Sequence, residues 1–166
     1  MRIFPLISFV LLLTAAALLV STLSGDLPDV VAVHFNAAGV ANGFMRREEC
    51  RGFMLFFTLG APVFVAAVTG LIPRLFPPSM LNIPNRGYWL APERAEDSIA
   101  FLSDQGVWFA CILVIFLASV DWMVAKANAS APPNLPAGRF GGIMACFACA
   151  IGVWALRMFR RFRLPR

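Results

Sequence analysis

Four long blocks of apolar residues, separated by shorter polar stretches, constrain this chain more than any other feature. A bilayer core needs about 20 apolar residues per spanning helix. Inside it each backbone N–H and C=O must be satisfied within the protein. The blocks cover 3–23, 53–72, 106–125 and 140–156. With 60% hydrophobic and 14% charged residues, the chain lies well outside the usual globular balance. The expected fold is an all-α integral membrane protein, a four-transmembrane-helix bundle forming one polytopic domain over 1–166.

The first block follows Arg2, so a secretory signal peptide competes with a spanning helix there. The run exceeds the roughly 7–15 residues of a signal h-region, and no clear A-x-A site lies between the run and Asp26. It reads as a retained anchor. Nine of the fourteen Lys and Arg residues fall in the N-tail, the second loop (73–105) and the C-tail. Basic residues favour the cytoplasmic side, so both termini are expected inside and the first loop (24–52) outside. The Arg157, Arg160, Arg161, Arg163 and Arg166 cluster follows a span directly, as a headgroup anchor would. The net charge of +5 is therefore a membrane feature, and no nucleic-acid module accompanies it.

The first loop carries the only histidine. Leu27-Pro28-Asp29 suits a turn. Val30 to Phe35 is a β-branched run, with Val31, Val33 and Phe35 on one face and Val30, Ala32 and His34 on the other. Asn36, Gly39, Asn42 and Gly43 can adopt positive φ, which predicts a compact hairpin-like cap. A charged return follows, in which Glu48 and Arg51 form the plausible i,i+3 pair.

Pro62, in the second span, removes a backbone donor and crowds the carbonyl of Thr58, which predicts a bend there. The second loop holds Asn85, Arg86, Tyr88, Trp89 and Glu93. Pro92 and the acidic residues after it resemble a helix start. Ala95, Ile99 and Leu102 then predict a short interfacial amphipathic helix. This loop is either an elbow between spans or a docking face for a cytoplasmic regulator.

Asp121 is the acidic residue at membrane depth, where an ionisable group is a functional candidate. A contact from Asp121 to His34, Arg46 or Arg47 would dock the cap on the bundle; the plainer alternative is a carboxylate reaching water. Asn128-Ala129-Ser130 matches a glycosylation sequon in form. In the fourth span Gly138, Gly142, Cys146 and Ala150 recur every fourth position, a small-residue ridge that permits close helix packing. Cys146 and Cys149 invite a redox reading, yet a relay needs further cysteines in reach, and buried cysteine commonly serves as a small packing residue. Nothing calls for a cofactor, and one histidine cannot build a multi-histidine zinc site.

Leu27-Pro28-Asp29, Val33-His34-Phe35-Asn36 and Gly39 resemble the L-P-D…P-x-H-[FW]-N-x-x-G signature of a bacterial membrane domain of unknown function found in SdpI-type immunity proteins. Ala32 stands where that family usually has proline, and Arg46 or Arg47 where lysine is common. The resemblance implies a multi-pass protein of the bacterial inner membrane whose best-known relatives protect cells from a secreted toxic peptide and hold a repressor at the membrane. On that footing the expected partners are the lipid bilayer, a peptide toxin or another membrane protein, and a cytoplasmic regulator. The expected function is non-enzymatic immunity or envelope sensing through the His34 loop. A membrane thiol oxidoreductase, a hydrolase using His34 and Asp121, and an accessory subunit of a membrane complex are the alternatives.

Overall fold

A computed structural model describes residues 2–164; Arg166, placed above in the C-terminal basic cluster, lies outside them. The chain runs α1 (Ile3–Gly25), β1 (Val30–Phe35), β2 (Ala41–Arg46), α2 (Arg47–Leu55), a π-helical turn (Phe56–Gly60), α3 (Ala61–Leu75), a 3₁₀ turn (Pro78–Met80), α4 (Arg86–Trp89), α5 (Pro92–Asn128) and α6 (Ala137–Arg161). Four helical stretches are long and apolar enough to cross a bilayer: α1, Arg47–Leu75, α5 and α6. The protein is a multi-pass, four-helix membrane bundle.

Its two ends are distinct. The Arg2 backbone N–H bonds the Asp104 carboxylate at 2.9 Å, and the Asn85 side chain bonds the Phe162 carbonyl at 2.8 Å. Both chain ends therefore lie near the 73–105 connection. The β1–β2 hairpin packs at the opposite end, beside Asn128 and Leu135.

The second span changes its winding just before Pro62. Proline at the start of α3 cannot donate to the turn before it, and the chain widens into the π turn at Phe56–Gly60. Thr58, at the centre of that turn, is buried and donates its hydroxyl to Asp121.

The third span differs from expectation. No separate interfacial helix precedes it: Pro92 begins one continuous helix of 37 residues. At 1.5 Å per residue it is roughly 55 Å long, well beyond the hydrocarbon thickness. Between Pro92 and Gly106 there is no residue that breaks a helix. Polar residues in this stretch are buried and partnered. Ser98 bonds the Trp89 carbonyl, Ser103 accepts from Arg74, and Asp104 meets Arg2. Their partners on neighbouring elements hold the segment in the bundle and off the membrane plane.

α5 is the shared wall. Phe9 and Ala16 of α1 pack against Val107, Ala110, Cys111 and Val114 of α5. A second cluster joins Val20 of α1 to Leu27, Val31, Cys50 and Met54, seating the hairpin on the bundle. At Gly106 the α3 and α5 backbones approach so closely that an added Cβ would lie 2.5 Å from Thr69 Oγ1.

α6 is peripheral, with no buried residue. It meets α5 through a Phe116–Phe147 stack at 4.0 Å and a Phe109–Trp154 pair at 5.0 Å. At the Gly138 and Gly142 end of the small-residue ridge no neighbour packs closely: a Cβ at either would meet nothing within 4 Å. Aromatic side chains of this size hold the two helices apart beside the small residues.

Gly106→Ala should force α3 from α5 and lower stability by about 1–3 kcal/mol, read as a lower unfolding midpoint in detergent. Gly142→Ala, with open space beside it, should leave that midpoint unchanged.

Candidate functional site

The hairpin is built by residues that the sequence pattern singled out, though several do different work from that expected. Leu27 is buried beneath it. The Arg47 guanidinium donates to the Asp29 carboxylate at 2.6 Å, and the Arg47 backbone N–H bonds the Asp29 carbonyl at 3.0 Å. Pro28 also offers its carbonyl to Arg47. Leu27-Pro28-Asp29 is thus the turn that ties the strand entry to the first residue of α2. The Asp29 side chain is 94% exposed, so this ion pair sets geometry more than energy.

Arg46 and Glu49 close the other side as a reciprocal cap. Glu49 accepts from the Arg46 backbone N–H at 3.3 Å and from its guanidinium at 2.6 Å. The hydrogen bond to Glu49 pushes the Arg46 pKa further above its ordinary value. The helix begins at Arg47, so the favourable i,i+3 pair is Arg46–Glu49, not the Glu48–Arg51 pair expected from spacing.

The ladder is regular at first, with Val31 opposite Met45 and Ala32 opposite Phe44, and irregularities around His34 shift the register beyond Ala32. Val31 and Ala32 are both buried, Val31 in the cluster with Val20 and Cys50 and Ala32 against Asn128. His34 sits opposite Gly43, where a Cβ would lie 2.8 Å from the histidine's own. Its Nδ1 is 2.5 Å from Asn42 Oδ1. With that oxygen accepting, the proton sits on Nδ1 and Nε2 remains an acceptor in the neutral ring.

Asn36 wires the loop after β1. Its Oδ1 accepts the Ala38 and Val40 N–H groups at 2.9 and 3.0 Å, and its carbonyl accepts the Gly39 N–H. Gly39 has φ +79°, and an added Cβ would collide with the Leu135 carbonyl. The Gly39 carbonyl receives the Leu135 N–H at 2.9 Å, and Val40 bridges to Asn134. Asparagine supplies the local turn bonds and glycine the close approach.

The residue that fastens β1 to the bundle is Asn128. Its Oδ1 accepts the Ala32 N–H, and its Nδ2 donates back to the Ala32 carbonyl, both at 2.8 Å. Nδ2 also donates to the Val124 carbonyl, so the amide nitrogen of the apparent sequon is engaged within the fold. The sequence reading noticed Asn128 only as that sequon. The signal that pointed to it is an amide at the last turn of a span facing a short strand. Ala32 takes on meaning here as well, because proline at this position would remove the N–H that Asn128 accepts.

Asp121 does not dock the cap. It is 7% exposed and accepts the Thr58 hydroxyl at 2.5 Å, while His34, Arg46 and Arg47 all find partners within the hairpin. The four cysteines are also dispersed. Cys111 and Cys50 belong to separate buried clusters, and Cys146 and Cys149 lie exposed on α6.

The opposite end forms a clasp on the C-terminal segment. Asn85 adopts φ 54° and holds Phe162, Arg161 lies 4.2 Å over the Trp89 ring, and Arg94 lies 4.1 Å over Tyr88. Arg86 and Glu93 remain exposed on its surface.

Between the hairpin and the bundle lies a cavity of about 420 Å³. His34 and Phe35 face Met123 and Val124 of α5 across it, with Leu135 and Phe140 behind. The walls are mostly apolar, and the volume falls in the range of small ligand sites.

A family model described as "Domain of unknown function (DUF1648)" matches residues 9–60, which takes in most of α1, the hairpin, α2 and the π turn. No curated protein and no solved structure matches the chain. The match supports a membrane domain-of-unknown-function family for the segment that carries the hairpin.

Asn128→Ala should lower the unfolding midpoint in detergent by the equivalent of about 1–3 kcal/mol, since two backbone groups at Ala32 lose their partner. Asn128→Asp should also destabilise, because a carboxylate accepts from the Ala32 N–H but cannot donate to its carbonyl. An unchanged midpoint in both variants would show that the amide is not what holds the strand.

Proposed function

We propose that this chain is a non-enzymatic membrane protein of the SdpI-like kind, giving immunity to a toxic peptide or sensing one at the envelope through the His34 hairpin. One observation carries the reading. The residues that resemble the immunity-protein signature, His34 and Phe35 among them, form one wall of the cavity at the hairpin end. An apolar side chain of a peptide fits between Phe35, Met123 and Phe140, and the free His34 nitrogen offers one acceptor at the rim. Peptide capture by strand addition to β1 is disfavoured, because Asn128 already occupies that edge at Ala32. Insertion of a side chain into the cavity replaces it.

The reading places the protein in the bacterial inner membrane with the hairpin outside and both termini in the cytoplasm. The bias of basic residues toward the end that holds Arg2 and Arg161 supports that orientation. A cytoplasmic regulator would meet Arg86 and Glu93.

Expression in a sensitive bacterium should raise survival against secreted membrane-active peptides. Phe35→Ala should weaken peptide binding by about tenfold, the loss of one apolar contact of its size. A photoreactive residue at position 35 should crosslink to the peptide, and one at position 164 should not. Equal protection by the wild type and an empty vector, with the protein present in the membrane, would refute the proposal.

A further inference from the structure

The gap left between α5 and α6 is a groove of about 510 Å³. It runs from Arg139 and Gly142, past Cys146, to Ala150, with Ile112, Phe116 and Trp122 as the facing wall. Arg139 and Ala150 are eleven helical steps apart, or roughly 17 Å at 1.5 Å per residue. That is about the depth of one leaflet of a bilayer whose hydrocarbon core is about 30 Å thick. A second cavity, of about 400 Å³, lies between α1 and α5. The two share Ile115, Ser119 and Trp122 of α5 and Ile143 of α6, so they adjoin at the same depth along α5.

We propose that these paired grooves bind one anionic diacyl phospholipid from the leaflet on the hairpin side, one chain in each groove and the phosphate at Arg139. Length, polarity and charge agree on this occupant. The walls are apolar along their depth, which suits acyl chains and excludes water, as apolar cavities stay dry. Arg139 stands where the groove reaches headgroup level, and among the described residues it has no carboxylate partner. A guanidinium there favours a phosphodiester of net negative charge over a zwitterionic headgroup. Trp122, across the groove, sits at the depth that membrane-interface tryptophans favour. The small ridge of α6 therefore makes room for lipid, which explains the open space beside Gly138 and Gly142.

Native mass spectrometry of the full chain in detergent, mixed with equal phosphatidylglycerol and phosphatidylcholine of matched acyl chains, tests this. The wild type should retain phosphatidylglycerol about fivefold over phosphatidylcholine, the effect of one basic residue at the surface. Arg139→Gln should bring the ratio to parity with total bound lipid and unfolding midpoint unchanged. Gly142→Leu, which fills the groove without meeting another residue at its Cβ, should lose both lipids. Equal retention by the wild type, a preference that survives Arg139→Gln, or full lipid binding by Gly142→Leu would each overturn the proposal. A lipid-free dimer would do the same, since it would show α6 covered by a second copy.

Discussion

A single side-chain amide decides whether the hairpin is part of this protein or merely attached to it. Two strands alone are marginally stable in water, and a strand edge beside a bilayer leaves backbone groups that lipid cannot satisfy. The Asn128 amide supplies both a donor and an acceptor to Ala32, as a third strand would. Because it projects from the last turn of α5, the longest helix, it joins β1 directly to the bundle. The Gly39–Leu135 bond performs the same service for the loop after β1. Both fastenings, with the buried cluster around Val20, Val31 and Met54, hold the cavity's walls in place: these come from the hairpin, α5 and the start of α6.

α5 carries this arrangement by serving three neighbours in turn. Near the chain ends its polar residues meet Arg2, Arg74 and the α4 turn. At its middle Gly106 admits α3, and its apolar face receives α1. Toward the hairpin, Asp121 receives the Thr58 hydroxyl from the widened π turn. A carboxylate at membrane depth is costly unless partnered, and the π turn forced by Pro62 is what presents Thr58 to it. The π turn and the buried acid are one feature. On its remaining side α5 meets α6 through the Phe116–Phe147 and Phe109–Trp154 ring pairs and the Trp154 hydrogen bond to the Gln105 carbonyl, and the space between these contacts leaves the grooves.

The four spans, the hairpin between the first two and the placement of both ends away from it were legible in the sequence, because hydrophobic block length and glycine-asparagine turns are local signals. What failed was whatever depended on a distant partner. The stretch before Gly106 read as a separate interfacial helix, since the partners that tie it into the bundle at Ser98, Ser103 and Asp104 lie on α4, α3 and the chain start. Asp121 read as a partner for the cap because the nearest charges in sequence logic were His34, Arg46 and Arg47; its true partner, Thr58, was singled out for a different reason. The ridge at Gly138–Ala150 kept its spacing but not its expected use, because the aromatic residues between the small ones set the helix separation. Within the hairpin, Leu27, Asp29, Asn36 and Gly39 were recognised as a motif, yet the roles of Asn42, Asn128 and Leu135 follow only from contacts across the fold.

The clasp on β1 is open to direct observation in the unmodified protein. Amide hydrogen exchange of the wild type in lipid nanodiscs, resolved at Ala32 and at Ala37 near the hairpin tip, reads it residue by residue. A side-chain carbonyl holding the Ala32 N–H predicts exchange far slower there than at Ala37, with protection comparable to that of α5. Exchange at Ala32 as fast as at Ala37 would mean that the strand swings free of the bundle, and the cavity with it.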